Sequence, residues 1–402
     1  MRCTKQTSWM ALIVLIGFAP LAANAHKVTI TVEKPEPKKV DVPNKPPFKG
    51  HRAAVDVAIL LDTSSSMSGL ISQAKSQLWT IVQQFSKAQK NGQTPLLRVA
   101  LFEYGNSGLP ASEGYIRQVV PLSDDLDKLS EALFALTTNG GDEYCGQVID
   151  EALTRLDWSK ENNGYKAIFI AGNEPFTQGP IDYNSACKRA IENGVIVNTI
   201  HCGAHSTGVN GKWRDGARLA EGEFFNIDQD RKLVHIDCPQ DEIILKLNAK
   251  LNRTYLWYGS QVDQFRCAQN QVEQDKNAES LSRSVAVSRA GTKATSAYDN
   301  YNRCVVDHYA QDGGEILKKL KEKELPKALQ ELAPEKREAY VKEKVAERKK
   351  LQAEISKLSK ERESYLQTER TRRAEATGEA TLGDAVVMAI QKQLVQSGFQ
   401  TE

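Results

Sequence analysis

The stretch Val57-Ala58-Ile59-Leu60-Leu61-Asp62-Thr63-Ser64-Ser65-Ser66 decides the fold. An unbroken apolar run ends abruptly in an acid and a row of hydroxyl side chains, and a helical pattern begins near Leu70. A run without polar alternation is what a strand buried on both faces requires, as in a parallel sheet covered by helices on either side. The polar segment then falls at the carboxyl end of that strand, where open α/β sheets gather their ligand sites. A spacing of two along an extended turn lets Asp62, Ser64 and Ser66 converge. One carboxylate and two hydroxyls are hard oxygen donors suited to Mg²⁺, or to Mn²⁺ or Ca²⁺. The competing reading is an Asp/Ser turn that only caps the following helix.

Outward from this stretch, short aliphatic runs alternate with amphipathic ones: Asp56–Leu61, Ile71–Gln89, Arg98–Tyr104, Tyr115–Pro121, Leu126–Leu136, Val148–Leu156, Ala167–Ala171, Asp182–Glu192 and Val195–Cys202. The rhythm continues through a helix at Asp215–Ala220, a strand at Phe224–Ile227 and a helix at Asp241–Tyr255, then stops. It predicts a doubly wound, Rossmann-like α/β domain with a mainly parallel sheet over residues 51–259, followed by an α-helical C-terminal extension. Residues 260–313 are polar and read as a partly helical appendage. Residues 314–402 read as a charged helical region in which Pro326 and Pro334 end or kink helices. Leu351, Ile355, Leu358, Arg362 and Tyr365 share one seam, which the spacing predicts to pack on the protein itself in preference to a coiled coil, given how short it is. A last amphipathic stretch, Leu382–Val395, ends in Gly398 and Phe399.

The first residues read as an export signal: Arg2 and Lys5 precede the apolar run Trp9–Leu21, and Ala23-Asn24-Ala25 supplies a small-residue cleavage site, so cleavage is expected after Ala25. That assigns 1–25 to a signal peptide and 26–50 to a linker rich in proline, and predicts a periplasmic or secreted protein with no membrane span in the mature chain. Of 402 residues, 53 are basic and 51 acidic, so no global field directs the chain to nucleic acid or to a membrane surface. Beyond the signal stand Cys145, Cys187, Cys202, Cys238, Cys267 and Cys304, an even set in an oxidising setting, for which disulfides are the default expectation and Cys267–Cys304 the first pairing. Zinc is the alternative, weakened by the absence of a CxxC pair.

Asp62, Ser64 and Ser66 resemble the DxSxS first loop of the metal-ion-dependent adhesion site (MIDAS) in von Willebrand factor A (VWA) domains. In that family a second loop supplies a threonine and a third an aspartate. Here the second loop reads Thr137-Thr138-Asn139-Gly140-Gly141-Asp142-Glu143, which sets Asp142 at the threonine's place, and the third reads Ala171-Gly172-Asn173-Glu174-Pro175, which sets Gly172 at the aspartate's. The resemblance thus implies a relocated negative charge: Asp62 and Asp142 neutralise the cation, Ser64 and Ser66 complete its near shell, and Thr138 and Glu174 stand in reserve. The chain as a whole is similar to exported bacterial VWA proteins with charged helical C-termini.

What the resemblance implies is a binding module, in which an acidic side chain of a protein partner completes the metal shell. The expectation is no enzyme: Ser64 or Ser66 with His201 or His205 lacks a GxSxG elbow, and metal-assisted hydrolysis would need carboxylates for which Glu143, Glu174 and Asp182 are the nearby candidates. A structural or scaffold protein of the cell envelope, acting through the charged helices, is the other class. Nucleic-acid binding is not expected, because glutamates interleave with the basic residues.

Overall fold

The structure is a computed structural model, and it describes residues 52–68, 70–161, 163–227, 236–377 and 382–401. The expected signal peptide at 1–25 and the linker at 26–50 lie outside the described residues.

Six strands form one sheet: β1 (Ala54–Asp62), β2 (Leu96–Tyr104), β3 (Ile116–Ser123), β4 (Tyr165–Gly172), β5 (Ile196–Cys202) and β6 (Phe224–Ile227). Their order is β3-β2-β1-β4-β5-β6, with β3 antiparallel to β2 and every other pairing parallel. The doubly wound α/β reading of the sequence therefore holds. Every residue of β1 is buried, as the apolar run demands of a central strand. Its one charged interior residue, Asp56, is satisfied by the Arg98 guanidinium at 2.8 and 2.7 Å and by the Ser159 amide at 2.7 Å.

Helices follow the strands as α1 (Ile71–Ser86), α2 (Leu126–Ala135), α3 (Cys145–Arg155), α4 (Tyr183–Glu192), α5 (His205–Asn210), α6 (Trp213–Leu219) and α7 (Asp241–Asn252). The alternation of strand side chains divides the core in two. Ala58 and Leu60 pack with Val148, Ile149, Cys187 and Trp213 from α3, α4 and α6, whereas Val57, Ile59 and Leu61 pack with Ile81, Phe85, Ile244 and Leu247 from α1 and α7.

The C-terminal part continues as α8 (Gln261–Leu281), α9 (Arg283–Lys293), α10 (Val305–Asp312), α11 (Glu315–Lys319), α12 (Lys327–Gln330), α13 (Pro334–Thr377) and α14 (Leu382–Gln396). It builds no core of its own. Val287, Ala290, Val341, Ile355, Ile390 and Leu394 join the cluster that contains Val57 and Ile59. On α13 the seam residues Leu351, Ile355 and Arg362 are buried, and Arg362 closes the contact by donating to Asp241 of α7 at 2.6 Å. On α14 the Gln393 amide is inserted among Tyr165 and Asn198: its oxygen accepts from the Tyr165 hydroxyl at 2.6 Å and its nitrogen donates to Asn198 Oδ1 at 2.8 Å.

The expected disulfides are not present among the described residues. All six cysteines carry free thiols, and all but Cys267 are buried. The physical reason is placement. Cys187 packs in the layer under α3 and α4 while Cys202 and Cys304 pack in the opposite layer, so these thiols fill gaps as small apolar groups; Cys267 and Cys304, the first expected pair, border the same cluster but stay unbonded, and Cys304 Sγ instead accepts from the Arg348 guanidinium at 3.5 Å.

Candidate metal centre

Pairing of β1 with β2 sets Asp62 beside Tyr104 at the carboxyl edge of the sheet. The chain then turns sharply, and Asp62 Oδ1 accepts from the Ser64 amide at 2.7 Å. Ser64 Oγ and Ser66 Oγ share a hydrogen bond of 2.7 Å, and the Ser66 hydroxyl donates to Asn173 Oδ1 at 3.0 Å. The three residues read from the sequence are thus brought together and tied to the loop after β4. The loop before α3 is pinned to them as well, since the Asn139 amide donates to the Thr63 carbonyl at 2.9 Å.

The acid that the structure brings beside Asp62 is Glu143, where the sequence reading chose Asp142. Glu143 is buried, whereas Asp142 is exposed and accepts from the Tyr144 hydroxyl at 3.2 Å. Burial alternates along the segment entering α3: Glu143 and Cys145 are buried and Asp142 is exposed. The buried start of α3 at Cys145 was the signal in the sequence that could have separated the two acids. Gly105, with φ +77°, makes the close approach possible: a Cβ there would lie 2.8 Å from Glu143 Cγ and 2.9 Å from Asp62 Oδ1.

Thr138 is not gathered into the site; its hydroxyl pairs with Ser68 at 3.0 Å. Glu174 stands close enough for its charge to act on both acids, while its carbonyl accepts from the Trp213 indole at 2.7 Å. At Gly172 there is no room for the family's aspartate, because a Cβ would lie 2.5 Å from the Tyr104 hydroxyl and 3.0 Å from Trp213 Cη2. His201 is buried and paired with Asn226 Oδ1 at 2.9 Å, and burial lowers its pKa.

The electrostatics are those of carboxyl groups crowded into a buried site. Burial, chiefly, raises the Asp62 carboxyl to about 6 against the opposing hydrogen bonds from Ser64, and Glu174 adds to the rise. Glu143 is pushed up to about 7, first by burial and then by the charges of Asp62 and Glu174. Asp62 Oδ2 is fully buried and has no hydrogen-bond partner among the described residues, an arrangement that costs stability unless something binds there. No group of three or more His, Cys, Asp and Glu side chains able to hold a metal occurs among the described residues, so a cation here would rest on Asp62 and Glu143 together with the Ser64 and Ser66 hydroxyls. Two carboxylates and two hydroxyls fit a hard divalent ion.

Residues 56–227 match the model of the von Willebrand factor type A domain. No curated protein matches the chain. Solved structures similar to it include the SpRpn10 VWA domain, 19% identical over 44% of this chain and 90% of that one, with a TM-score of 0.35. Proximal thread matrix protein 1 of the mussel byssus, whose MIDAS motif is described as zinc-occupied, is 17% identical over 45% of this chain and 43% of its own, with a TM-score of 0.35. The conserved hypothetical protein BatB from Bacteroides thetaiotaomicron is 15% identical over 55% of this chain and 99% of its own, with a TM-score of 0.34.

Proposed function

Since residues 56–227 form a von Willebrand factor type A domain, we propose that the protein is an exported binding module that holds a divalent cation, Mg²⁺ in the first instance, and captures a protein partner through it. Asp62 and Glu143 supply the negative charge in this reading, and Ser64 and Ser66 the hydroxyl ligands. The observation that carries it is the buried, unpartnered Asp62 Oδ2 facing a second carboxylate whose pKa is also raised. A cation relieves both costs at once. Ser66 is exposed, so a cation held by these residues would be open to a carboxylate from the partner on that side, and ion and partner would stabilise each other's binding.

Binding, not catalysis, is the proposed activity, for the acids are committed to the cation and the nearest buried histidine is committed to Asn226. Among the described residues no helix is long and apolar enough to cross a membrane; export is proposed from the N-terminal sequence, and N-terminal sequencing of the mature protein from whole cells, expected to begin at His26, tests it. Isothermal titration with Mg²⁺ tests the site. Wild type is expected to give saturable heat that Asp62→Asn abolishes, and partners recovered in Mg²⁺ are expected to be lost in EDTA. Equal Mg²⁺ affinity in Asp62→Asn defeats the reading.

A further inference from the structure

Helix α8 is anchored along one side, and among the described residues nothing covers the other. The anchored side holds Gln271, Gln274 and Ala278, all buried. Gln274 Oε1 accepts from the Ser130 hydroxyl of α2 at 2.8 Å, the Gln271 amide donates to the Tyr298 hydroxyl at 3.1 Å, and Asp275 accepts from the Arg289 guanidinium of α9 at 2.7 Å. These contacts fix the rotation of the helix about its axis, so its opposite side is presented to solvent on a rigid element. There Val262 is 76% exposed, Phe265 69% and Val272 44%. Scattered exposed apolar side chains are ordinary, but of the seven large ones well exposed among the described residues, three share this single face.

Val262, Phe265, Gln269, Val272 and Lys276 follow one another at alternating steps of three and four, the spacing of a seam between two helices. Arg266 and Glu273, also exposed, flank that seam on one side. We propose that the seam joins two copies of the chain, α8 lying antiparallel on α8 about a two-fold axis near Gln269 and Asn270. The charges argue for that occupant and that orientation. An axis there sets Arg266 of each copy opposite Glu273 of the other, two ion pairs by symmetry. A parallel pair would set these residues against Gln261 and Ala268 and make neither.

In that register Phe265 enters the gap bounded by Gln269, Val272, Glu273 and Lys276 of the second copy, as a knob fills a hole. The Lys276 methylenes cover the ring while the ammonium stays in water. Gln269 meets Gln269 across the axis, a polar contact that penalises slipped registers. Arg266 already pairs with Asp263 of its own helix at 3.2 Å. An exposed pair within one helix is worth little, and the guanidinium keeps donors for a second carboxylate. A bilayer surface suits the face less well, since Glu273 and Glu279 stand exposed along it and would enter the headgroup layer with the apolar side chains. Because the seam is short, the dimer is expected to be weak, with a Kd in the micromolar range. The pairing does not depend on the metal centre, and it places two such centres in one particle, which raises avidity for a partner displayed on a surface.

Sedimentation velocity of the purified mature chain over a concentration series tests the proposal, and is expected to show a reversible shift from one chain to two. Phe265→Asp is expected to weaken association roughly a hundredfold, since it places a charge in each hole. Arg266→Glu and Glu273→Arg are each expected to weaken it about tenfold, because each sets like charges together twice. Mixed in equal amounts, these two variants are expected to associate as tightly as wild type, for every contact between positions 266 and 273 of unlike chains again joins opposite charges. All three positions are exposed, so the variants are expected to keep the wild-type circular dichroism spectrum and melting temperature. A chain that stays monomeric at every concentration, a dimer that Phe265→Asp leaves intact, or a mixture that associates no more tightly than its components overturns the proposal. So does a monomer that floats with phosphatidylglycerol vesicles and ceases to do so on Phe265→Asp, which would assign the face to a membrane.

Discussion

Asp142 and Glu143 are adjacent, and their side chains do opposite things. Asp142→Ala is expected to leave Mg²⁺ affinity within a factor of two of wild type, because its carboxylate is spent on Tyr144 in solvent. Glu143→Gln is expected to weaken Mg²⁺ at least tenfold, since it removes one of two charges facing the ion, and calorimetry on the pair separates them. The DxSxS residues were legible because their spacing brings the donors together within one turn. The second acid was not, because its direction depends on Gly105 and on the Gln178 side chain that accepts from the Glu143 amide at 3.2 Å, contacts remote in sequence. The raised pKa values fix the sign of the pH response. At pH 5 both acids carry protons, and as pH rises through about 6 and about 7 they ionise, so Mg²⁺ affinity is expected to climb between pH 5 and 8 with proton release on binding. The stability of the EDTA-treated protein runs the other way: the folded state binds more protons than the unfolded one in this window, so stability falls as pH rises. At about 1.4 kcal/mol per pH decade, ionised Asp62 costs the fold on the order of 3 kcal/mol at pH 8. Asp62→Asn is therefore expected to raise the urea midpoint at pH 8 in EDTA while abolishing Mg²⁺ binding.

At the level of elements, strand positions were readable because a parallel sheet imposes continuous apolar runs, and all six expected strands lie within about two residues of their observed bounds. What the pattern could not report is which loop has room for a ligand. The end of β4 illustrates this, for Gly172 looks like a lost aspartate in the linear order, whereas in space it is the contact point of Tyr104, Trp213 and Asp62. Restoring the family residue is expected to fail: Gly172→Asp should lower stability by about 3 kcal/mol or more, through overpacking and a further buried charge, and should not improve Mg²⁺ affinity. Urea unfolding alongside calorimetry reads both. The cysteines teach the same lesson, since an even count says nothing of which layer each thiol occupies. Under native conditions Cys267 alone is expected to react with a thiol reagent, and slowly, because it is partly exposed and burial raises its pKa; after denaturation Cys145, Cys187, Cys202, Cys238 and Cys304 are expected to react as well.

Across the whole molecule, the charged C-terminal sequence turns out to be woven into the core. Its composition is that of a solvated arm, and outward-facing lysines and glutamates do dominate α13. Yet several of its apolar residues are spaced so that they reach the core that contains Val57 and Ile59. Ile316, Leu329, Val341, Ile355, Ile390 and Leu394 are at most 1% exposed. At roughly 1.5–3 kcal/mol for each large side chain fully buried, these six alone contribute on the order of 10 kcal/mol of gross stabilisation, as much as the entire net stability of an ordinary domain. Buried ion pairs reinforce the joint: Arg348 of α13 lies over the Tyr255 ring at 3.9 Å and donates to the Thr254 carbonyl at 2.6 Å and to Asp307, and removing one partner of such a pair strands the other charge. Deleting residues 314–402 is thus expected to leave no independently folded domain. The truncated chain should bind a hydrophobic dye, lose its cooperative urea transition and lose Mg²⁺ binding together with them. A truncated chain that unfolds cooperatively at the wild-type midpoint would show that the helices only decorate the domain. If instead the sharp transition is lost, assays of partner binding must keep the full chain, and the milder Arg362→Ala, which leaves Asp241 buried without its partner, becomes the substitution for testing whether loosening the joint alters capture at the metal edge.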